Sequence, residues 1–145
     1  MYKFYGWENA NVKPVDAKYI KISNPREMYD LLSRCWGADT CAPRMRGDWS
    51  LGNITLGQCS ITSFLVQDIF GGRVYGIPLP EGGYHCYNVV GDCVFDLTSE
   101  QFGDAKLVYD IANEQFRDVH FADADKKARY ELLKKKFDAL VKQSK

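Results

Sequence analysis

Apolar residues recur at helical spacing in three stretches of the chain, and each stretch carries its own boundary signals. The first helix is expected to start at Asn24, whose side chain can cap free backbone N–H groups, with Pro25 at the first helical position. Gly37 is expected to end this helix. Its apolar stripe consists of Met28, Leu31, Leu32 and Cys35.

The second helix is expected to open with a capping box, in which the Thr55 hydroxyl and the Gln58 amide satisfy backbone donors reciprocally. Gly71-Gly72 stops it. Its apolar positions follow i, i+3, i+4, i+8 spacing at Ile61, Phe64, Leu65 and Ile69. A third amphipathic helix is expected over about residues 123–142, with a lysine-rich outer face. Its apolar face consists of Tyr130, Leu133, Phe137 and Leu140.

Short apolar runs between the second and third helices predict an antiparallel sheet. Strands are expected over residues 73–79, 84–90 and 93–98, and Gly91-Asp92 supplies a two-residue hairpin turn of the type that begins with glycine. A further short strand is expected over Leu107–Tyr109.

Together these elements predict an α+β fold, in which the second helix packs on a small antiparallel sheet and a C-terminal helix completes the core. The 145 residues suit one domain of ordinary size. No repeat or linker-like stretch divides the chain, so we expect a single domain over residues 1–145 with a core of about 25–137.

Charge and apolar content restrict the function. Nineteen basic and nineteen acidic residues cancel, so nothing indicates a nucleic-acid partner or an anionic membrane surface. No window reaches the roughly 18 apolar residues of a membrane span. Residues 1–7 lack the apolar region of a secretory signal. The five cysteines are therefore expected as reduced thiols in the cytoplasm.

Cys59 is the first candidate for chemistry because it lies in the opening turn of the second predicted helix. Free N–H groups and the helix dipole favour an anion there, which lowers the pKa of a thiol. The same N–H groups can bind a developing oxyanion. The plain alternative is a cysteine that merely fills the core as a small hydrophobe.

The hairpin supplies a base and an orienting group. If Gly91-Asp92 forms the turn, Tyr87 lies opposite Asp96, and His85 shares the face of Tyr87 because side chains alternate along a strand. Asp96 is then the diagonal neighbour of His85, within reach of a hydrogen bond. A carboxylate in that place fixes the imidazole tautomer and stabilises the imidazolium partner of a thiolate.

Cys59, His85 and Asp96 therefore have the chemistry of nucleophile, base and orienting group. We expect a thiol-dependent acyl-transfer enzyme, either a hydrolase such as a peptidase, amidase or deamidase, or an acyltransferase. Its partner would be a peptide or a small-molecule substrate, with no cofactor. One alternative is a non-catalytic binding module on the same scaffold. Another is a redox protein in which Cys59 forms a disulfide with Cys86 or Cys93.

Other polar and aromatic side chains are candidates for oxyanion or substrate binding, although each has a plain structural alternative. Gln58 also serves the expected capping box, and the two arginines also suit an ordinary surface. The candidates are Gln58, Asn53, Trp49, Arg44, Arg46, Tyr84 and Tyr87. His120 has no evident partner and is expected to be structural.

Four possible metal ligands lie close together in the predicted hairpin. Neighbouring residues on a strand point to opposite faces, and no C-x-x-C or H-x-x-H spacing is present. We therefore expect no metal. The four residues are His85, Cys86, Cys93 and Asp96.

Residues 56–62, 83–88 and 94–102 resemble the YunG-like family of bacterial proteins, as do residues 43–49 and 129–133. This resemblance covers about residues 25–137. More distantly, the segments with the cysteine, histidine and aspartate are similar to papain-like and transglutaminase-like enzymes.

The distant resemblance implies a cysteine-proteinase-like fold with Cys59 as nucleophile, His85 as general base and then acid, and Asp96 as its orienting group. The chain departs from papain in having little sequence before the nucleophile and short strands after it. This difference puts general proteolysis in doubt.

Overall fold

The computed structural model describes residues 2–143 and has an α+β architecture. Its sheet has four antiparallel strands. The helices are α1 (Pro25–Leu32), α2 (Cys59–Phe70), α3 (Arg117–His120) and α4 (Ala124–Gln143), and the strands are β1 (Arg73–Pro78), β2 (Tyr84–Val90), β3 (Cys93–Phe95) and β4 (Glu114–Gln115). The strand order in the sheet is β3-β2-β1-β4. Short 3-10 helices span Trp7–Asn9, Ala17–Tyr19, Pro43–Asp48 and Ser99–Phe102.

Helix α2 is the central element of the core. It packs against β1 and β2 on one side and against α4 on the other, and α1 also packs on α4. The α2 side chains of Phe64, Leu65 and Ile69 are fully buried, as the helical spacing predicts. On α4, Leu133 and Phe137 face this core. The first residue of α2 is thereby held rigidly against the sheet.

The predicted start of α1 is confirmed. The Asn24 side chain accepts hydrogen bonds from the N–H groups of Arg26 and Glu27 at 2.9 and 3.2 Å, and the Glu27 carboxylate accepts one from the Ser23 N–H at 2.6 Å. The helix ends at Leu32, earlier than predicted. The N–H groups of Arg34 and Cys35 then bond three residues back, as in a 3-10 turn.

The capping box predicted at the start of α2 is wrong. The Thr55 hydroxyl is buried and has no hydrogen-bond partner among residues 2–143, and the Gln58 amide donates to the Gly37 carbonyl at 3.0 Å. Gly57 separates the two side chains with a left-handed φ of 71°. A Cβ at Gly57 would lie 2.5 Å from the Cys41 sulfur, so glycine is required. The helix consequently begins at Cys59.

The predicted hairpin register is confirmed, with Val90 paired to Cys93 and Val89 to Val94. Gly91 has a φ of 59°, as a turn beginning with glycine requires. Strand β3 is shorter than predicted because the Asp96 N–H donates to the Tyr5 carbonyl at 3.0 Å instead of continuing the hairpin.

Two further differences from the sequence prediction concern the edges of the fold. No strand forms over Leu107–Tyr109, and the fourth strand is instead Glu114–Gln115, which pairs with β1. The N-terminal segment lies outside the expected core of 25–137 but is packed into the protein. Its buried side chains are Phe4, Ala10, Tyr19 and Ile22.

Candidate functional site

A cleft of about 600 Å³ opens where the first turn of α2 meets the start of β2. Cys59 and His85 both line it. Cys59 is the first residue of α2, and His85 is the second residue of β2. The tertiary fold thus brings together two side chains that are 26 positions apart in the sequence.

Asp96 anchors the buried side of this site. Its Oδ2 accepts hydrogen bonds from His85 Nε2 at 2.6 Å and from the Tyr109 hydroxyl at 2.7 Å. Its Oδ1 accepts from the Thr98 N–H at 3.1 Å and from the Thr98 hydroxyl at 3.3 Å. Four donors therefore hold the carboxylate in one orientation, and one of them is the imidazole.

His85 is fixed in place by this carboxylate and by an aromatic ring. Its side chain is 1% exposed, and the ring of Phe102 meets it edge to face at 4.6 Å between centroids. Nε2 is engaged by Asp96, and Nδ1 has no hydrogen-bond partner among residues 2–143. Nδ1 is therefore the nitrogen available to a group in the cleft.

The environment of His85 favours the imidazolium. Burial alone would lower the pKa of His85, but the Asp96 carboxylate and the neighbouring Cys59 sulfur outweigh burial and raise the pKa to about 10. The imidazole thus stays protonated at neutral pH while a thiolate lies beside it.

Cys59 shows the complementary shift. A hydrogen bond from the Cys86 thiol and the proximity of the His85 imidazole hold the pKa of Cys59 well below its ordinary value of 9.0, although burial opposes them. Correspondingly, the Cys59 sulfur and burial raise the pKa of Cys86. Cys59 is partly exposed and Cys86 is buried, so the thiolate is the sulfur that a substrate can reach.

The start of α2 also provides donors for an oxyanion. Within residues 2–143, no side chain caps the first turn of this helix, and its first N–H groups have no partners inside the helix. Gln58, a predicted oxyanion residue, is buried, and its amide nitrogen donates to the Gly37 carbonyl. The donors that remain available to an anion at this place are therefore the backbone N–H groups of α2 and not the Gln58 amide.

Only some of the remaining predicted site residues line the cleft. Arg44 and Tyr84 line the cleft. Arg46 instead donates to the carbonyls of Ala38 and Cys41, at 2.9 and 3.1 Å. These bonds hold the loop before α2, so Arg46 has a structural role.

Three other predicted candidates do not line the cleft either. The Trp49 indole N–H donates to the Ile54 carbonyl at 2.9 Å, and Asn53 pairs with Ser50 across a tight turn. Tyr87 is buried, and its hydroxyl accepts a hydrogen bond from the Ile111 N–H at 2.9 Å.

Several residues of the site gave no signal in the sequence pattern. Tyr109, predicted within a strand, instead donates to Asp96 from an irregular segment and stacks on Tyr5 with 3.8 Å between ring centroids. His120, predicted to be structural, lines the cleft. Its Nδ1 lies 2.9 Å from the Lys126 ammonium, and its Nε2 lies 2.8 Å from Gln115 Oε1.

Among residues 2–143, no group of three or more His, Cys, Asp or Glu side chains is arranged to hold a metal ion. No helix in that range is long and apolar enough to cross a membrane.

Comparison with known protein families finds a match. The family model described as YunG protein matches residues 24–142, which include Cys59, His85 and Asp96. The chain belongs to the YunG family. A relative, the uncharacterized protein YunG of Bacillus subtilis (strain 168), is 39% identical over 54 residues. That alignment covers 37% of this chain and 46% of the relative, so the chain matches about half of the relative's length. No solved structure matches.

Proposed function

We propose that this YunG-family protein is a thiol-dependent acyl-transfer enzyme with Cys59 as nucleophile, His85 as general base and acid, and Asp96 as the orienting group. The observation that carries the proposal is the buried His85–Asp96 hydrogen bond of 2.6 Å, which leaves Nδ1 of His85 unpartnered beside Cys59. A histidine that served only packing would not need a carboxylate held by three further donors.

In the first half-reaction, the Cys59 thiolate attacks the carbonyl carbon of an amide, ester or thioester and forms a sulfur–carbon bond. The carbonyl electron pair moves onto oxygen, where the N–H groups of the first turn of α2 stabilise the negative charge. When the carbonyl re-forms, the bond to the leaving group breaks, and the His85 imidazolium donates the Nδ1 proton to that group.

In the second half-reaction, water or an amine attacks the acyl group on Cys59. Neutral His85 takes a proton from the attacking molecule, and the thiolate leaves to restore the starting pair. Water makes the protein a hydrolase, and an amine makes it an acyltransferase. Both reactions use the same three side chains.

The order of groups, with the cysteine at a helix start and the histidine and aspartate on a hairpin, is like that of papain-like and transglutaminase-like enzymes. A cysteine-proteinase-like fold therefore remains part of this proposal. All five cysteines have free thiols, which supports placing the reaction in the reducing cytoplasm. A peptide or small-molecule substrate fits a cleft of about 600 Å³.

The proposal is tested with p-nitrophenyl acetate, an activated ester that reports acyl transfer through release of p-nitrophenolate. The wild type should release many equivalents, and Cys59→Ala should release no more than buffer. Cys93→Ala is the matched control because it removes another partly exposed thiol that does not line the cleft, and it should behave as wild type. Equal release by Cys59→Ala and wild type would overturn the proposal and favour a binding module that performs no chemistry.

A further inference from the structure

Lys126 is a cation in the cleft that the proposed reaction does not use. It lies in the first turn of α4, lines the same cleft as Cys59, and is half-buried. Within residues 2–143, no carboxylate lies within salt-bridge distance of its ammonium group, whereas Lys18, Lys134 and Lys136 each have such a partner. Lys126 instead donates to His120.

The hydrogen bonds around His120 fix the direction of the Lys126 side chain. Nδ1 of His120 accepts from the Lys126 ammonium at 2.9 Å, so the ring carries its proton on Nε2 and donates it to Gln115 Oε1 at 2.8 Å. Burial and the Lys126 charge lower the pKa of His120 to about 4. The neutral imidazole therefore holds the ammonium in place without neutralising it.

The effect of the Lys126 charge extends to the sulfur atoms. It opposes the rise in the pKa of Cys86, the residue next to His85, and the Cys59 sulfur in turn opposes the fall in the pKa of His120. Lys126 and His120 thus line the cleft together, and the Lys126 ammonium supplies the positive charge of the pair.

Four other charged side chains line the cleft. Arg44 lines the cleft and is exposed, with no ion-pair partner among residues 2–143, whereas Arg129 is paired with Asp125 at 2.8 Å. Asp123 lines the cleft, but its carboxylate accepts from two N–H groups at the start of α4. Glu81 also lines the cleft, from the exposed turn between β1 and β2. Among residues 2–143, Lys126 and Arg44 are therefore the lysine and arginine of the cleft that have no ion-pair partner.

We propose that Lys126, assisted by Arg44, binds an anionic group of the substrate, a carboxylate or a phosphate, next to the carbonyl that Cys59 attacks. This inference rests on the proposed function and specifies its substrate class, namely acyl compounds that carry a negative charge near the reacting carbonyl. Without a positive charge beside the reacting carbonyl, the site would not prefer anionic acyl groups over uncharged ones.

Two alkylating reagents of nearly equal size measure this preference. Iodoacetate carries a carboxylate and iodoacetamide an uncharged amide, and both react with Cys59 by forming a sulfur–carbon bond and releasing iodide. The informative quantity is the rate constant for iodoacetate divided by that for iodoacetamide, both at Cys59. Both reagents react with the same thiolate, so the thiolate fraction cancels in this ratio and the preference for the anionic reagent remains. Lys126→Met should lower this ratio about fivefold, the effect of one unit charge a few ångströms away in a site open to water.

Matched variants make the test specific. Lys127→Met removes the same charge from the next residue of α4, which is exposed and does not line the cleft, and should leave the ratio unchanged. Lys126→Arg keeps the charge and should retain most of the preference. An unchanged ratio in Lys126→Met, or an equal fall in Lys127→Met, would overturn the inference.

The same experiment separates this inference from the proposed function. Slow reaction of Cys59 with iodoacetamide in the wild type would contradict the proposed function itself. Fast reaction with iodoacetamide, but a ratio that does not depend on Lys126, would contradict only the anion site. Acetate and inorganic phosphate are then added as competitors of iodoacetate. The stronger competitor identifies the class of anion, and failure of both to compete would overturn the site.

Discussion

Replacing Cys59 by alanine should change how the stability of the protein depends on pH. In the wild type at neutral pH, the native site holds one proton, on His85, whose pKa is raised to about 10 from an ordinary 6.5. The unfolded chain also holds one proton between pH 6.5 and pH 9.0, because the Cys59 thiol has its ordinary pKa of 9.0 while the unfolded His85 is neutral. Because both states bind the same number of protons, this pair leaves stability nearly constant across the window.

Cys59→Ala makes the number of bound protons differ between the native and the unfolded state. The native variant still binds a proton on His85, because Asp96 remains, whereas the unfolded variant has neither the thiol nor a protonated histidine above pH 6.5. A group with a raised native pKa contributes stability that is complete below its unfolded pKa and is lost as the pH rises through its native pKa. The variant should therefore lose up to about 2 kcal/mol between about pH 7 and about pH 8.5, at most 1.36 kcal/mol per pH unit. The loss ends where the pH passes the native pKa of His85, which is lower in the variant because the Cys59 sulfur no longer raises it.

Urea unfolding followed by tryptophan fluorescence measures this effect, with the free energy of unfolding determined across that pH window for each protein. Cys93→Ala is the control: it removes another partly exposed thiol and should keep the wild-type pH dependence, whatever its absolute stability. Parallel pH profiles for wild type and Cys59→Ala would refute the assignment of a thiolate–imidazolium pair to this site.

Two further substitutions probe the supports of the site. Tyr109→Phe removes one of the four donors to Asp96 and should slow acetylation of Cys59 by p-nitrophenyl acetate about fivefold, as expected for a hydrogen bond of about 1 kcal/mol. In a His85→Ala background the same change should have no further effect, and a persisting loss would show that Tyr109 acts only on folding. Gly57→Ala forces alanine into a left-handed conformation against Cys41 and should lower the urea-derived free energy of unfolding by about 2 kcal/mol or more. A stability equal to that of the wild type would contradict the close packing described at Gly57.

The contact between His85 and Asp96 could be predicted because a two-residue turn and strand alternation determine it locally. Gly91-Asp92 sets the hairpin register, and the diagonal pair follows from that register, with a hydrogen bond of 2.6 Å between His85 and Asp96. The apolar stripe of α2 likewise predicted the helix that carries Cys59. These features depend on short-range geometry with a fixed period.

Residues that reach the site from irregular segments could not be predicted in this way. Tyr109 and His120 have no periodic neighbours to place them, and their positions depend on tertiary packing. The capping-box prediction failed for a related reason, since the left-handed φ of Gly57 and its contact with Cys41 are invisible in a local motif. Arg46 was predicted for the cleft from its residue type alone, whereas its hydrogen bonds to backbone carbonyls hold a loop.

The most direct test of the central claim is the time course of acetylation at Cys59, followed by mass spectrometry of the peptides after mixing with p-nitrophenyl acetate at neutral pH. The account predicts an acetyl group that appears on Cys59 far faster than on Cys93 and then decays as p-nitrophenolate continues to be released. His85→Ala should slow both the appearance and the decay. Acetylation of Cys59 no faster than that of Cys93, or unaffected by His85→Ala, would contradict the claim that these residues form an acyl-transfer site.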